Sequence, residues 1–189
     1  MNKDDDLAII ALCSQIGIIN GVKPLENKEW ASVSESLIKN NKTPKELFDF
    51  SKEEFMSILN IFDENEIGRY KTLLERSSSL AFELENLNKY GVKIVTRASA
   101  LFPKRIKKLL RQQSPPLFYY AGDLNLLNYK YIGFVGSRDV KESDIKKLKQ
   151  LVKNATLKGY GVVSGGAKGV DSIATEESLC NGGIAIEFL

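Results

Sequence analysis

The stretch GYGVVSGGAKGVDSIA, Gly159 to Ala174, carries a short apolar run, Val162-Val163, into a glycine-rich loop and then directly into a helical pattern. A strand that feeds a helix through Ser164-Gly165-Gly166-Ala167-Lys168-Gly169 is how a chain builds a cradle for an oxyanion. Without a Cβ, glycine lets backbone amides turn inward and approach the anion, and the helix that follows adds its positive end. Lys168 contributes a mobile cation. The loop is not a Walker A motif: Ala167 follows Gly166, with Val170 and Asp171 further on, and G-x-x-x-x-G-K-[ST] is not met. It does not match G-x-G-x-x-G either. Taken alone, it also fits a tight strand-to-helix turn that binds nothing.

A second element stands beside it. VGSRD, Val135 to Asp139, closes the preceding apolar run, so Gly136, Ser137 and Arg138 are expected next to the glycine loop. The planar fork of Arg138 suits a phosphate bidentately, and Ser137 adds a hydroxyl. Asp171, at the start of the following helix, has two readings. It can satisfy helix amides and the helix dipole, or it can orient Arg138 and contact a sugar hydroxyl or base edge. Two donor-rich loops without a nucleophile–base pair make a binding site rather than a reaction site.

Working outward, the order from Gly91 is a strand at Val92–Thr96, a short helix after Pro103, an apolar strand in PPLFYYAGD and a strand in YIGFVG. A helix over 141–158, the strand before the glycine loop, a helix over 170–181 and a last strand in GIAIEFL complete it. The final part is β-α-β-α-β, and its non-alternating strands predict a parallel sheet covered on both faces. Right-handed crossovers place both loops at the carboxyl edge of that sheet.

Residues 1–90 read as helices. Asp6 is a candidate cap for a helix closing near Gly17, and a second helix spans 27–39. Thr43 caps a segment with Pro44 at its first position, and Ser51 with Glu54 forms a capping box. The stretch 63–90 predicts one continuous helix of about seven turns at 3.6 residues each. The expected division is therefore a helical domain at 1–90 and a Rossmann-like domain at 91–189. No residue of the helical half is placed to do chemistry.

Composition narrows the function classes. With 43% hydrophobic and 27% charged residues, the chain reads as a globular protein, and its apolar runs are too short to span a bilayer. The opening MNKDDDL carries acids where a secretory signal carries basic residues, which predicts a cytoplasmic protein. There is no histidine, which removes Ser-His and Cys-His arrangements and the commonest zinc ligand. The two cysteines, Cys13 and Cys180, share no metal-type spacing and read as buried thiols. No cofactor or metal site is expected. Residues 1–90 hold 11 Lys/Arg against 16 Asp/Glu, whereas residues 91–189 hold 16 against 8. An anionic partner is therefore expected on the second half.

Four motifs occur in an order and spacing that resemble the DprA/Smf (DNA-processing protein A) family. They are Phe102-Pro103, PPLFYYAGD from Pro115, GFVGSRD from Gly133 and VVSGGAKGVDSIA from Val162. The resemblance covers about Gly91 to Leu189, and the helical half is only loosely similar to that family's N-terminal domain. It implies a non-enzymatic protein that binds single-stranded DNA in a basic pocket at this sheet edge, acts in natural transformation and loads a RecA-type recombinase. Carried over, Arg138 and the Ser164–Gly169 loop hold the DNA backbone and Lys168 supplies nearby charge. Tyr119, Tyr120, Tyr129, Tyr131 and Phe134 are candidate stacking platforms, though core or strand roles suit most of them. Where the family has Ala-His after the glycine loop, this chain has Ala174-Thr175. The later half of the family's Rossmann domain, with its surface for a homodimer and for recombinase contact, is not in this chain, which is expected to be a piece of a longer protein.

Two rival readings stand. One is a nucleoside monophosphate hydrolase of the related Rossmann type, although Glu176 and Glu177 sit at the wrong distance from the loop. The other is a sensor that binds a nucleotide in the same loops. The basic segment Lys104 to Arg111 favours a polymeric anion over a mononucleotide.

Overall fold

The computed structural model describes residues 3–17 and 21–189, and all their side chains except those of Lys3, Ser77 and Ser78. Five helices come first: α1 (Lys3–Cys13), α2 (Asn27–Lys39), α3 (Lys52–Leu59), α4 (Glu64–Glu75) and α5 (Ser77–Lys89). They are followed by β1 (Val92–Thr96), α6 (Lys104–Leu110) and β2 (Leu117–Ala121). The remainder is β3 (Tyr131–Gly133), α7 (Glu142–Leu157), β4 (Gly161–Ser164), α8 (Val170–Cys180) and β5 (Ala185–Glu187). The chain is thus α/β: a helical N-terminal region followed by a partial Rossmann-like parallel sheet.

The chain divides into two compact units, residues 1–122 and 123–189. In the first, α1 is buried along most of its length and Trp30, Leu37, Leu47, Phe55, Tyr70 and Leu73 close around it. Phe55 meets Phe50 and Tyr70 edge-on, each with ring centroids 5.7 Å apart. The capping boxes at Thr43 and Ser51 are formed, the first opening a 3-10 turn over Pro44–Asp49. Strands β1 and β2 pair antiparallel, Ile94 opposite Tyr119, and Leu117 and Ile94 pack on the helical core. The hairpin therefore belongs to the first unit, although the texture of the sequence changes earlier, at Gly91.

Two helical expectations are corrected. Helix α1 begins at Lys3, so Asp6 lies inside its first turn, and its carboxylate accepts a hydrogen bond from the Thr96 hydroxyl. The expected single helix over 63–90 is two helices, broken at Arg76. That side chain is 4% exposed and donates to the carbonyls of Ala11, Ser14 and Ile16. Ala11 lies in the last turn of α1, which leaves its carbonyl unpaired, and Ser14 and Ile16 follow the helix; a buried guanidinium with five fixed donors satisfies all three at once.

In the second unit, β3, β4 and β5 form a parallel sheet in that order, with Ile132 beside Val162 and Val162 beside Ala185. Both crossovers step the same way across the sheet. Right-handedness then puts α7 and α8 side by side on one face, not one on each. Val152, Val162 and Ala174 make the buried contact between that face and the two helices, with Phe134, Leu148 and Ala185 around them. Cover of both faces, as expected from the apolar strands, is not what this unit's helices provide. On the opposite face Tyr131 lies over Gly161, and its hydroxyl donates to the Leu126 carbonyl at 2.5 Å.

Candidate functional site

The parallel strands all end at the same edge, so the loops after β3 and β4 leave the sheet together. The first runs from Phe134 to the start of α7 and holds Gly136, Ser137 and Arg138. The second, Gly165 to Gly169, opens α8. Backbone contacts lock them to each other: Val170 donates its N–H to the Ser137 carbonyl at 3.1 Å. A Cβ on Gly169 would stand 2.2 Å from that same carbonyl oxygen, and φ there is +93°. A Cβ on Gly136 would stand 2.6 Å from Val170 Cγ2. These two glycines are what allow the loops to touch.

Within the glycine loop, Gly165 donates to Asp171 Oδ2 at 2.9 Å, and Gly166 donates weakly to Ser164 Oγ at 3.4 Å. The N–H groups of Ala167, Lys168 and Gly169 have no acceptor among the described residues. Three unpaired donors in succession at the head of an eleven-residue helix make a positive surface. Arg138 is exposed and no carboxylate among the described residues pairs with it. Lys168 is exposed as well and meets Asp139 at 3.9 Å, a contact loose enough to exchange for another anion.

Other predicted residues take part less directly. Ser137 uses its hydroxyl inside its own turn, donating to the Asp139 carbonyl at 2.8 Å and accepting from the Asp139 N–H at 3.1 Å. Ser164 is 5% exposed, its hydroxyl beside that of Thr175 at 3.4 Å. Asp171 is 6% exposed and holds the glycine loop through Gly165. Of the aromatic candidates, Phe134 packs between sheet and helices and Tyr119 accepts from the Gln15 N–H. Tyr129 is half exposed.

One residue was missed in the sequence. Glu187, the last residue of β5, lies at the same carboxyl edge; it accepts from the Thr175 hydroxyl at 2.9 Å, and its Oε2 would be 3.1 Å from a Cβ on Gly166. Strand parity was the available signal, since the end of a third parallel strand must arrive at the edge where the other two loops begin. The cysteine expectation is half corrected: Cys13 is buried, but Cys180 is exposed at the end of α8. Among the described residues no cluster of three metal-ligating side chains occurs, and no helix is long and apolar enough to cross a membrane.

The family of DNA recombination-mediator protein A matches residues 93–189, from β1 through both loops to β5. The chain belongs to that family. Over 76 residues it is 34% identical to the DNA processing protein DprA of Streptococcus pneumoniae, a stretch covering 40% of this chain and 27% of the relative. The X-ray structure of DprA from that organism superposes over 97% of this chain and 56% of the other, with a TM-score of 0.66 and 18% identity, a likeness of fold. The chain thus spans little more than half of that solved relative.

Proposed function

We propose that the paired loops hold the phosphate backbone of single-stranded DNA, and that the protein passes the coated strand to a RecA-type recombinase in the cytoplasm. The carrying observation is the run of unpaired N–H donors at Ala167, Lys168 and Gly169, with the backbone of Arg138 against Gly169 and the Arg138 side chain exposed. Backbone donors recognise phosphate without reading bases, so the binding is tolerant of sequence. Arg138 grips one phosphate bidentately, and Lys168 exchanges Asp139 for another. Gly136, Ser137, Ser164, Gly165, Gly166 and Asp171 keep the two loops in register rather than touch the strand. No step of bond making is assigned to the site, and the surface for a homodimer and for the recombinase is assigned to the part of the relatives that this chain does not span.

The test is fluorescence anisotropy of a labelled oligonucleotide over a salt series, with duplex and adenine nucleotide as competitors. Arg138→Ala and Lys168→Ala should each weaken binding about tenfold, as expected for loss of a charge-assisted contact worth roughly 1.5 kcal/mol. Efficient displacement by the nucleotide would instead favour a sensor or hydrolase. Glu187 gives that second reading its one support, because a carboxylate beside a phosphate loop can accept from a ribose hydroxyl or hold a water.

A further inference from the structure

The free N–H groups of Ala167, Lys168 and Gly169 have unlike neighbours at their two ends. On the Gly169 side stands the backbone of Ser137 and Arg138. On the other side is Gly166, the residue directly before the first free donor, with φ +68°. Glu187 Oε2 lies 3.1 Å from where a Cβ on Gly166 would be. A carboxylate from the end of β5 therefore borders the row of donors at its Gly166 end.

That carboxylate is held in place but not neutralised. Its Oε1 accepts from the Thr175 hydroxyl at 2.9 Å, and Thr175 belongs to α8, the helix that the glycine loop opens. Among the described residues no cation pairs with Glu187. An anion seated on the free amides meets this charge at one flank, and like charges at such range repel. The penalty depends on how much charge the ligand brings there. In a strand, each phosphodiester is separated from the next by a whole sugar. In pyrophosphate, the second phosphate is one bridging oxygen away.

We propose that Glu187 is a specificity residue of the loop site, whose carboxylate disfavours a second phosphate bonded directly to the seated one. The site then takes the phosphodiester of a strand and refuses pyrophosphate and nucleoside di- and triphosphates. This rests on the reading of the loops as a phosphate site. Thr175 is a positioning residue, because its hydroxyl fixes which carboxylate oxygen is turned to the loop. A carboxylate that accepts from a ribose hydroxyl predicts the reverse, a loss of affinity when its charge is removed.

The test is an amide chemical-shift titration of the 189-residue chain, read at Ala167, Lys168 and Gly169, at constant ionic strength and without divalent cations. The probes are inorganic phosphate, pyrophosphate and an unphosphorylated thymidylate strand of about 6 nucleotides. Glu187→Gln should bind pyrophosphate about tenfold more tightly than the unaltered chain does, the size of one like-charge contact near a surface, and should move phosphate and the strand by less than about threefold. Thr175→Val should give a smaller gain in the same direction. Glu176→Gln, the same charge change at an exposed neighbour on α8, should leave all three probes as they were. Circular dichroism first confirms that each variant is folded. Equal gains for phosphate and pyrophosphate, an equal gain in Glu176→Gln, or an unchanged or weakened pyrophosphate in Glu187→Gln would each overturn the inference. If the strand leaves these amides unmoved while pyrophosphate gains in Glu187→Gln, the strand reading fails and the exclusion stands. If no probe moves them in any variant, both fall.

Discussion

Gly165 donates its backbone N–H at 2.9 Å to Oδ2 of Asp171, a residue only 6% exposed. The bond spans the strand-to-helix turn, so the side chain that opens α8 also sets the path of the loop before it. Asp171→Ala should cost about 1 kcal/mol or somewhat more in denaturant unfolding, the net worth of a part-buried hydrogen bond to a charged group, and Asp171→Asn should cost less. An alanine variant of unchanged stability would show that Asp171 faces the ligand instead.

Gly136 and Gly169 should respond differently to alanine. At Gly136 the new methyl meets Val170 side-chain atoms, so Gly136→Ala should destabilise by about 1–3 kcal/mol, as overpacking does. Adding Val170→Ala should recover much of that. At Gly169 the obstacle is the Ser137 and Arg138 backbone, and φ is +93°. No partner truncation should rescue Gly169→Ala, and a double-mutant cycle by thermal unfolding separates the two cases.

Arg76 should be among the most sensitive positions of the helical unit. Replacing it by leucine strands the carbonyls of Ala11, Ser14 and Ile16 at the end of α1, and a loss of about 3 kcal/mol or more is expected from several charge-assisted bonds. Lysine should restore little, since one ammonium cannot reproduce the fork. Urea denaturation followed by far-UV circular dichroism reads this directly.

Acid should weaken the ion pair of Arg69 with Glu29, which ties α4 to α2. The hydrogen bonds from Arg69 hold the Glu29 carboxyl below the usual carboxylate range, more than burial raises it. A depressed folded-state value means that stability is fully present above the unfolded value of about 4.3 and is lost as pH falls through the folded one. In melting curves taken over falling pH, Glu29→Gln should start less stable and show a shallower acid decline.

The two thiols should separate cleanly under alkylation. Cys180 is exposed and should react at once, whereas burial pushes the Cys13 thiol upward and hides it inside α1. Labelling Cys13 should follow the rate of unfolding in mild denaturant. Prompt reaction at both sites would mean that the core around α1 opens far below the unfolding midpoint.

The parallel unit was the readable part of the sequence. Gly136 and Gly169 are required by a close backbone approach, and Val162 and Val163 by the sheet, so spacing alone brought the loops to one edge. Capping chemistry at Thr43 and Ser51 was equally legible because it is local. What escaped depends on distant partners. Nothing near Arg76 announces that its guanidinium serves a helix end some sixty residues earlier in the chain, and its neighbours carry a helical pattern straight through it. Glu187 escaped because its place beside Gly166 follows from strand order, not from any motif around it. One-sided cover of the sheet escaped for a related reason: apolar strands tell how deeply they are buried, not on which side the helices lie.

The hairpin of β1 and β2 is encoded with the family region yet folds with the helices. Ile94 and Leu117 rest on the helical core, and Thr96 is tied to Asp6. Inheritance and folding thus draw different borders in this chain. Dissection at the family border would strip two strands of their floor and bare the apolar underside of a two-stranded ribbon, a form that is marginal in water by itself. Dissection after Gly122 would instead leave both hairpin strands with the helices they pack on.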